Sequence, residues 1–175
     1  EFMFTEEKKN SQIYQDSNYL KPNTEIEVSN LVREFYKKRL PINLHSTNSK
    51  KYIGYHVQAA KTLDLSNLNG VIEYLPEELY IKVLPGTPIK TIEDLLEKYN
   101  QQLAFEPLDF GFINDGKSNK GSVAGCVATN FAGSRRFKVG SVRDFVLGFR
   151  GVNGKGDIIK SGGTVVKNVT GYDLS

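Results

Sequence analysis

From Phe105 to Ser141 the chain is rich in Gly, Asn, Ser and Pro and sustains neither a helical nor a strand period. An irregular stretch of that length inside a compact protein usually carries function, so the segments around it must supply the scaffold. Upstream, Val28, Leu31, Val32 and Phe35 recur at three and four residues behind Asn23-Thr24, with Glu25 and Glu27 early and Lys37, Lys38 and Arg39 late. That pattern predicts an amphipathic helix with Thr24 as N-cap, ended by Pro41. A strand is expected at Ile42–Leu44 and a polar loop from Ser46 to Gly54. Thr62–Leu65 and Val71–Tyr74 alternate with period two about an Asn69-Gly70 turn, and Leu79–Val83 alternates again. A second helix carries Ile89, Ile92, Leu95, Leu96 and Tyr99 on one face, with Thr87 or Thr91 near its start. Phe145–Val152 and Asp157–Lys160 flank Asn153-Gly154-Lys155-Gly156 and read as a hairpin. Helices and strands in this order indicate an α+β fold whose loops carry the chemistry.

Composition narrows the function. With 39% hydrophobic and 25% charged residues the chain has a globular balance, and its net charge of +3 is spread among alternating signs. Such a surface is solvated, and no nucleic-acid partner is expected. The single cysteine, Cys126, forms no disulfide framework and points to a reducing compartment; with His45 and His56 it makes no zinc spacing. No apolar run approaches the ~20 residues of a membrane span, so no transmembrane segment is expected. Gly171-Tyr172-Asp173-Leu174-Ser175 closes without a polar tail, and a C-terminal truncation is expected.

Three stretches could carry chemistry. Gly111 to Ser118 fits the phosphate-binding pattern GxxxxGK[ST], which needs a strand before it and a helix after it. Glu106-Pro107-Leu108-Asp109 breaks any strand, Asn119-Lys120-Gly121 starts a poor helix, and Phe112 and Ile113 would crowd a phosphate. A solvated loop is therefore the competing reading, and a P-loop-like nucleotide binder stays as the last alternative. Gly121 to Gly133 is dense in small residues, which let backbone approach a flat or anionic ligand; tight helix packing would explain it equally. Arg135, Arg136, Lys138 and Arg143 form a basic cluster that reads as a wet loop or an anion contact.

Read together, Leu75-Pro76-Glu77-Glu78-Leu79, Leu84-Pro85-Gly86-Thr87-Pro88, Phe105-Glu106-Pro107, Gly140 to Gly148 and Lys167 to Leu174 resemble the vanillyl-alcohol-oxidase-type, or PCMH-type, FAD-binding domain. Within that family the likeness is to the FAD-binding subunit of glycolate-oxidase-like complexes. It runs from about Pro22 to Ser175.

The resemblance implies a flavin held between two α+β subdomains, residues 21–85 and 86–175, behind a polar arm over 1–20, the second incomplete at its end. It carries the diphosphate loop onto Ser46, Thr47, Asn48, Ser49 and Lys50, where the family usually has consecutive glycines. It carries a second flavin loop onto Ser122, Val123, Ala124 and Gly125, with Ala124 in place of a glycine. Further contacts fall on Pro107, Asn130 and Gly133, and on Gly171, Tyr172 and Asp173. Ser49 takes the place of the histidine that links flavin in covalent relatives, so non-covalent FAD is implied. The implied task is oxidation of a small 2-hydroxy acid beside a catalytic flavoprotein subunit and an iron–sulfur subunit. The implied location is cytoplasmic and peripheral to the inner membrane. No catalytic base is assigned. A truncated, flavin-free interaction module is the rival reading.

Overall fold

Helix α1 (Glu25–Lys38) sets the geometry of the N-terminal half. In the computed structural model, which describes residues 18–55, 58–114 and 116–162, the Glu27 amide donates to Thr24 Oγ1 at 3.1 Å. The Glu27 carboxylate accepts the Asn23 amide in return, at 2.8 Å. Two otherwise orphaned N–H groups are thereby paired. The helix ends at Arg39, which turns left-handed at φ 54, two residues before Pro41. His56, Gly171, Tyr172 and Asp173 lie outside the described residues.

Val28, Leu31 and Phe35 press α1 onto a parallel sheet of β1 (Tyr19–Leu20), β3 (Lys61–Asp64) and β2 (Ile42–His45), in that spatial order. Leu20, Leu63 and Leu68 complete this first core, and burying a leucine such as Leu63 contributes about 1.5–3 kcal/mol. The expected Asn69-Gly70 hairpin turn does not form: a 3-10 turn over Leu65–Asn67 follows β3, and the strands on either side do not pair. β4 (Val71–Leu75) runs antiparallel to β5 (Tyr80–Val83) instead. Both edges of β3 are already taken by β1 and β2, which leaves β4 no ladder to join.

The second core gathers Ile89, Cys126, Ala132 and Val142, from α2 (Ile89–Glu97), α4 (Val123–Thr129) and the segments after α4. The short turn α3 (Gly111–Asn114) precedes α4, and α5 (Arg136–Val139) follows it. Thr87 does not cap α2. Its fully buried hydroxyl donates to the Leu84 carbonyl at 2.7 Å and accepts the Gly70 amide at 2.9 Å. Thr87 thus locks the joint between the two cores, while Pro88 opens the helix without a side-chain cap bond. At the same joint a Cβ on Gly86 would lie 2.4 Å from the Leu65 carbonyl oxygen, so only glycine lets the chain pass.

The expected hairpin forms as β6 (Gly148–Val152) and β7 (Ile158–Gly162). It returns to the first core, where Val152 packs and Arg150 grips Glu25 through two bonds of 2.7 and 3.1 Å.

Candidate flavin site

The site begins at the loop that leaves β2. Its base is stapled by Asp64, opposite His45 in the sheet register. Asp64 is buried, accepts the Ser66 amide at 2.9 Å and meets Lys21 Nζ at 3.1 Å. Burial alone would raise its pKa, but the bonds from Ser66 and Lys21 and the nearby His45 hold the carboxyl below its ordinary value. From this anchor the chain runs through Ser46 and Thr47 to Asn48, which adopts the left-handed conformation at φ 53. Asn is among the few non-glycine residues that visit this region routinely, so it can stand where a glycine is usual. Among the described residues, the amides of Thr47 to Lys50 meet no acceptor within the chain, and the buried Ser46 Oγ has no partner. A row of unspent donors around a left-handed residue is an anion-binding nest.

The glycine-rich stretch lies directly against this loop. Asn114 donates to the Ser49 carbonyl at 2.7 Å and Asn119 to that of Thr47 at 3.5 Å. Gly121, at φ +88, approaches so closely that a Cβ there would be 2.6 Å from Ser49 Oγ and 3.0 Å from Lys50 Nζ. Beside the contact is a pocket of about 140 Å³ lined by Ser49, Lys50, Tyr52, Phe110, Ile113 and Asn114, among others. Burial pushes the Lys50 ammonium down from its ordinary value, against the opposing effect of the Cys126 thiol. The sequence reading assigned no role to Phe110, Asn114 or Asn119. The amide side chains of Asn114 and Asn119 amid glycines were a legible signal that the GxxxxGK[ST] match obscured.

The other candidates divide. Ser122 is buried and caps α4, accepting the Gly125 amide at 3.4 Å. The Val123 and Ala124 amides donate to the Thr87 and Pro85 carbonyls at 2.9 and 3.0 Å. These N–H groups therefore serve the joint between the cores, and do not face a ligand as small residues at this place led us to expect. Asn130 ends α4 in the left-handed region and accepts the Arg143 amide at 3.1 Å. Gly133 lets the backbone pass Glu106, where a Cβ would lie 2.5 Å from the Glu106 Cβ. Pro107 is buried next to it. Arg135 of the basic cluster pairs with Glu106 at 3.3 Å.

The GxxxxGK[ST] match does not build a phosphate cradle. Its donors surround the Asp109 carboxylate, which accepts from the Gly111 amide at 2.9 Å, the Asn119 amide at 2.8 Å and Ser118 Oγ at 2.5 Å. The chain supplies its own anion. Burial would raise the Asp109 pKa, but the bonds from Ser118, Asn119 and Gly111 and the charge of Lys120 outweigh it and hold the carboxyl below its ordinary value. A depressed carboxyl adds stability above its unfolded pKa and loses it as pH falls through the folded one. The bonds around Asp109 are thus expected to hold at neutral pH and to be lost only as pH falls below the ordinary carboxylate range. Protection of the Gly111 and Asn119 amides, taken relative to their intrinsic exchange rates at each pH, should fall on acidification in the wild type and should already be low at pH 7 in Asp109→Ala.

The fold and the seam define a class. This chain belongs to the FAD-binding-domain family, whose description, FAD binding domain, matches residues 17–162. The chain is 41% identical over 144 residues to the glycolate oxidase subunit GlcE of Escherichia coli (strain K12), covering 82% of this chain and 39% of that protein. It is 33% identical over 160 residues to the mitochondrial D-2-hydroxyglutarate dehydrogenase of Rattus norvegicus, covering 89% and 28%. The chain spans well under half the length of these relatives. An alkyldihydroxyacetonephosphate synthase structure shares the α+β fold with a TM-score of 0.68 at 19% identity, over 89% of this chain and 27% of the other. Among the described residues no helix is long and apolar enough to cross a membrane.

Proposed function

We propose that this chain is the FAD-holding part of a flavin-dependent, glycolate-type 2-hydroxy-acid oxidoreductase. The observation that carries the reading is the seam itself: unspent amides from Thr47 to Lys50 and the unpartnered Ser46 Oγ, set against Gly121 and Gly125. A donor-rich, acceptor-poor strip fits a diphosphate, and the pocket beside Tyr52 and Phe110 offers apolar surface to a flat ring. Bound FAD supplies the two-electron acceptor; this chain's residues bind and orient it. Ser46 to Lys50 and Ser122 to Gly125 line its path. Asn130, Gly133 and Pro107 act through the backbone they shape, and the family resemblance adds Gly171, Tyr172 and Asp173, which lie outside the described residues. The proposal divides the chain at residues 21–85 and 86–175, with the β6–β7 hairpin leaning back on the first unit.

Similarity to GlcE, named as a glycolate oxidase subunit, supports assembly into a complex. The proposed partners are a catalytic flavoprotein subunit and an iron–sulfur subunit. The cytoplasmic location, peripheral to the inner membrane, rests on the family resemblance alone.

Reconstitution with FAD tests the reading. The chain is expected to acquire the two visible flavin bands and to release all colour into the filtrate on denaturation, because Ser49 offers no imidazole for a flavin bond. Colour retained in the precipitate overturns non-covalent binding. Failure to take up FAD overturns the function and favours the interaction module.

A further inference from the structure

Among the described residues, the seam contains a cation without a counter-charge. Lys120 has Glu93 at 2.7 Å, Lys21 has Asp64, and Arg150 has Glu25, but no carboxylate meets Lys50 among the described residues. Its ammonium is partly buried, lies 5.5 Å from the centre of the Phe110 ring, and stands where a Cβ on Gly121 or Gly125 would come within 3.0 and 3.9 Å of it. Desolvating a charge without a partner is unfavourable, and a site built this way gains when an anion enters. The surrounding groups are donors or neutral: Ser46 Oγ without a partner, the free amides of Thr47 to Lys50, and Ser49 Oγ. The alternative donors are already used, since the Val123 and Ala124 amides are bonded to Thr87 and Pro85.

We infer that Lys50 is the charge partner of the cofactor's diphosphate, supplying from a side chain the attraction that a glycine loop would draw from closely approached amides. The inference rests on the proposed FAD site and deepens it. It assigns to Lys50 a selectivity: the ammonium recognises phosphate and is indifferent to the flavin ring. Ser46, Thr47 and Asn48 keep the ligand at a longer reach than glycines would, and a flexible four-carbon stem bridges that distance. Binding should therefore weaken with ionic strength more steeply than a neutral loop would allow.

The test compares wild type, Lys50→Met and Lys50→Arg in the full chain, titrated with FAD, ADP, inorganic pyrophosphate and riboflavin. Loss of a charge-assisted contact predicts about ten- to hundredfold weaker FAD, ADP and pyrophosphate binding in Lys50→Met, with riboflavin unchanged and Lys50→Arg largely restored. Equal loss for riboflavin, or no loss for ADP, overturns the inference. A measurement on the wild type guards against an unfolded variant: pyrophosphate should shield Lys50 from an amine-reactive label, and undiminished labelling overturns the assignment. If the wild type binds ADP through Lys50 but no flavin, the proposed function falls while the anion site stands.

Discussion

Gly121→Ala is expected to lower FAD affinity by at least a hundredfold and to destabilise the chain by about 3 kcal/mol. Two costs add. At φ +88 an L-residue is strained by about 1–2 kcal/mol, and overpacking the seam adds about 1–3 kcal/mol. The new methyl would stand 2.6 Å from Ser49 Oγ and 3.0 Å from Lys50 Nζ, so it displaces the two side chains nearest the proposed diphosphate path. Gly116→Ala is the control, because Gly116 also has positive φ but nothing within 4 Å of a Cβ. Urea unfolding of both variants separates backbone strain from the steric term, and flavin titration reads the site. Gly121→Ala with wild-type FAD affinity would show that the seam does not hold the cofactor.

Gly156→Ala is expected to detach the β6–β7 hairpin from α1, at a cost of about 3–4 kcal/mol. At φ +87 its Cβ would lie 2.7 Å from both the Ser29 carbonyl oxygen and Arg33 Cβ, with helix backbone on one side. The Gly156 carbonyl accepts from Ser29 Oγ at 2.5 Å and from Arg33 at 2.9 Å, so the clamp loses hydrogen bonds with its packing. Gly154→Ala, where a Cβ meets nothing, should change stability little. Amide exchange in Gly148–Val152 and Ile158–Gly162 would report the release directly. Protection unchanged in Gly156→Ala would mean that the hairpin is held by its turn and ladder alone.

Much of the architecture was legible because its signals are local. Thr24 and Glu27 are three residues apart and pair within one turn, and the apolar spacing of Val28, Leu31 and Phe35 needs only a helix to become a face. The hairpin turn from Asn153 to Gly156 is equally self-contained: Asn153 Oδ1 accepts the Lys155 and Asp157 amides, each at 2.9 Å. The family, too, was readable, since its motifs are short runs whose order along the chain is itself the signal.

Reading failed at Thr87, whose partner lies further off in sequence. Thr87 looked like a cap for the helix that follows it, but Gly70, seventeen positions upstream, offers its buried hydroxyl a better-placed donor and seals the joint. Gly111 to Ser118 carries a phosphate-binding spelling that its flanks already argued against, and nearby Asp109 takes those donors, because a covalently tethered carboxylate needs no binding entropy to stay there.

The residues alone thus determined helices α1 and α2, the hairpin, the α+β class and the family, all of which follow from periodicity, capping and motif order within short windows. Tertiary structure alone decided which donors remain unspent. It consumed the amides of Val123 and Ala124 in the joint and, among the described residues, left those of Thr47 to Lys50 open and set Lys50 beside Gly121 without a carboxylate. A hydrogen-bond donor is available to a ligand only if no acceptor of the chain arrives there first, and that competition is settled by contacts in space.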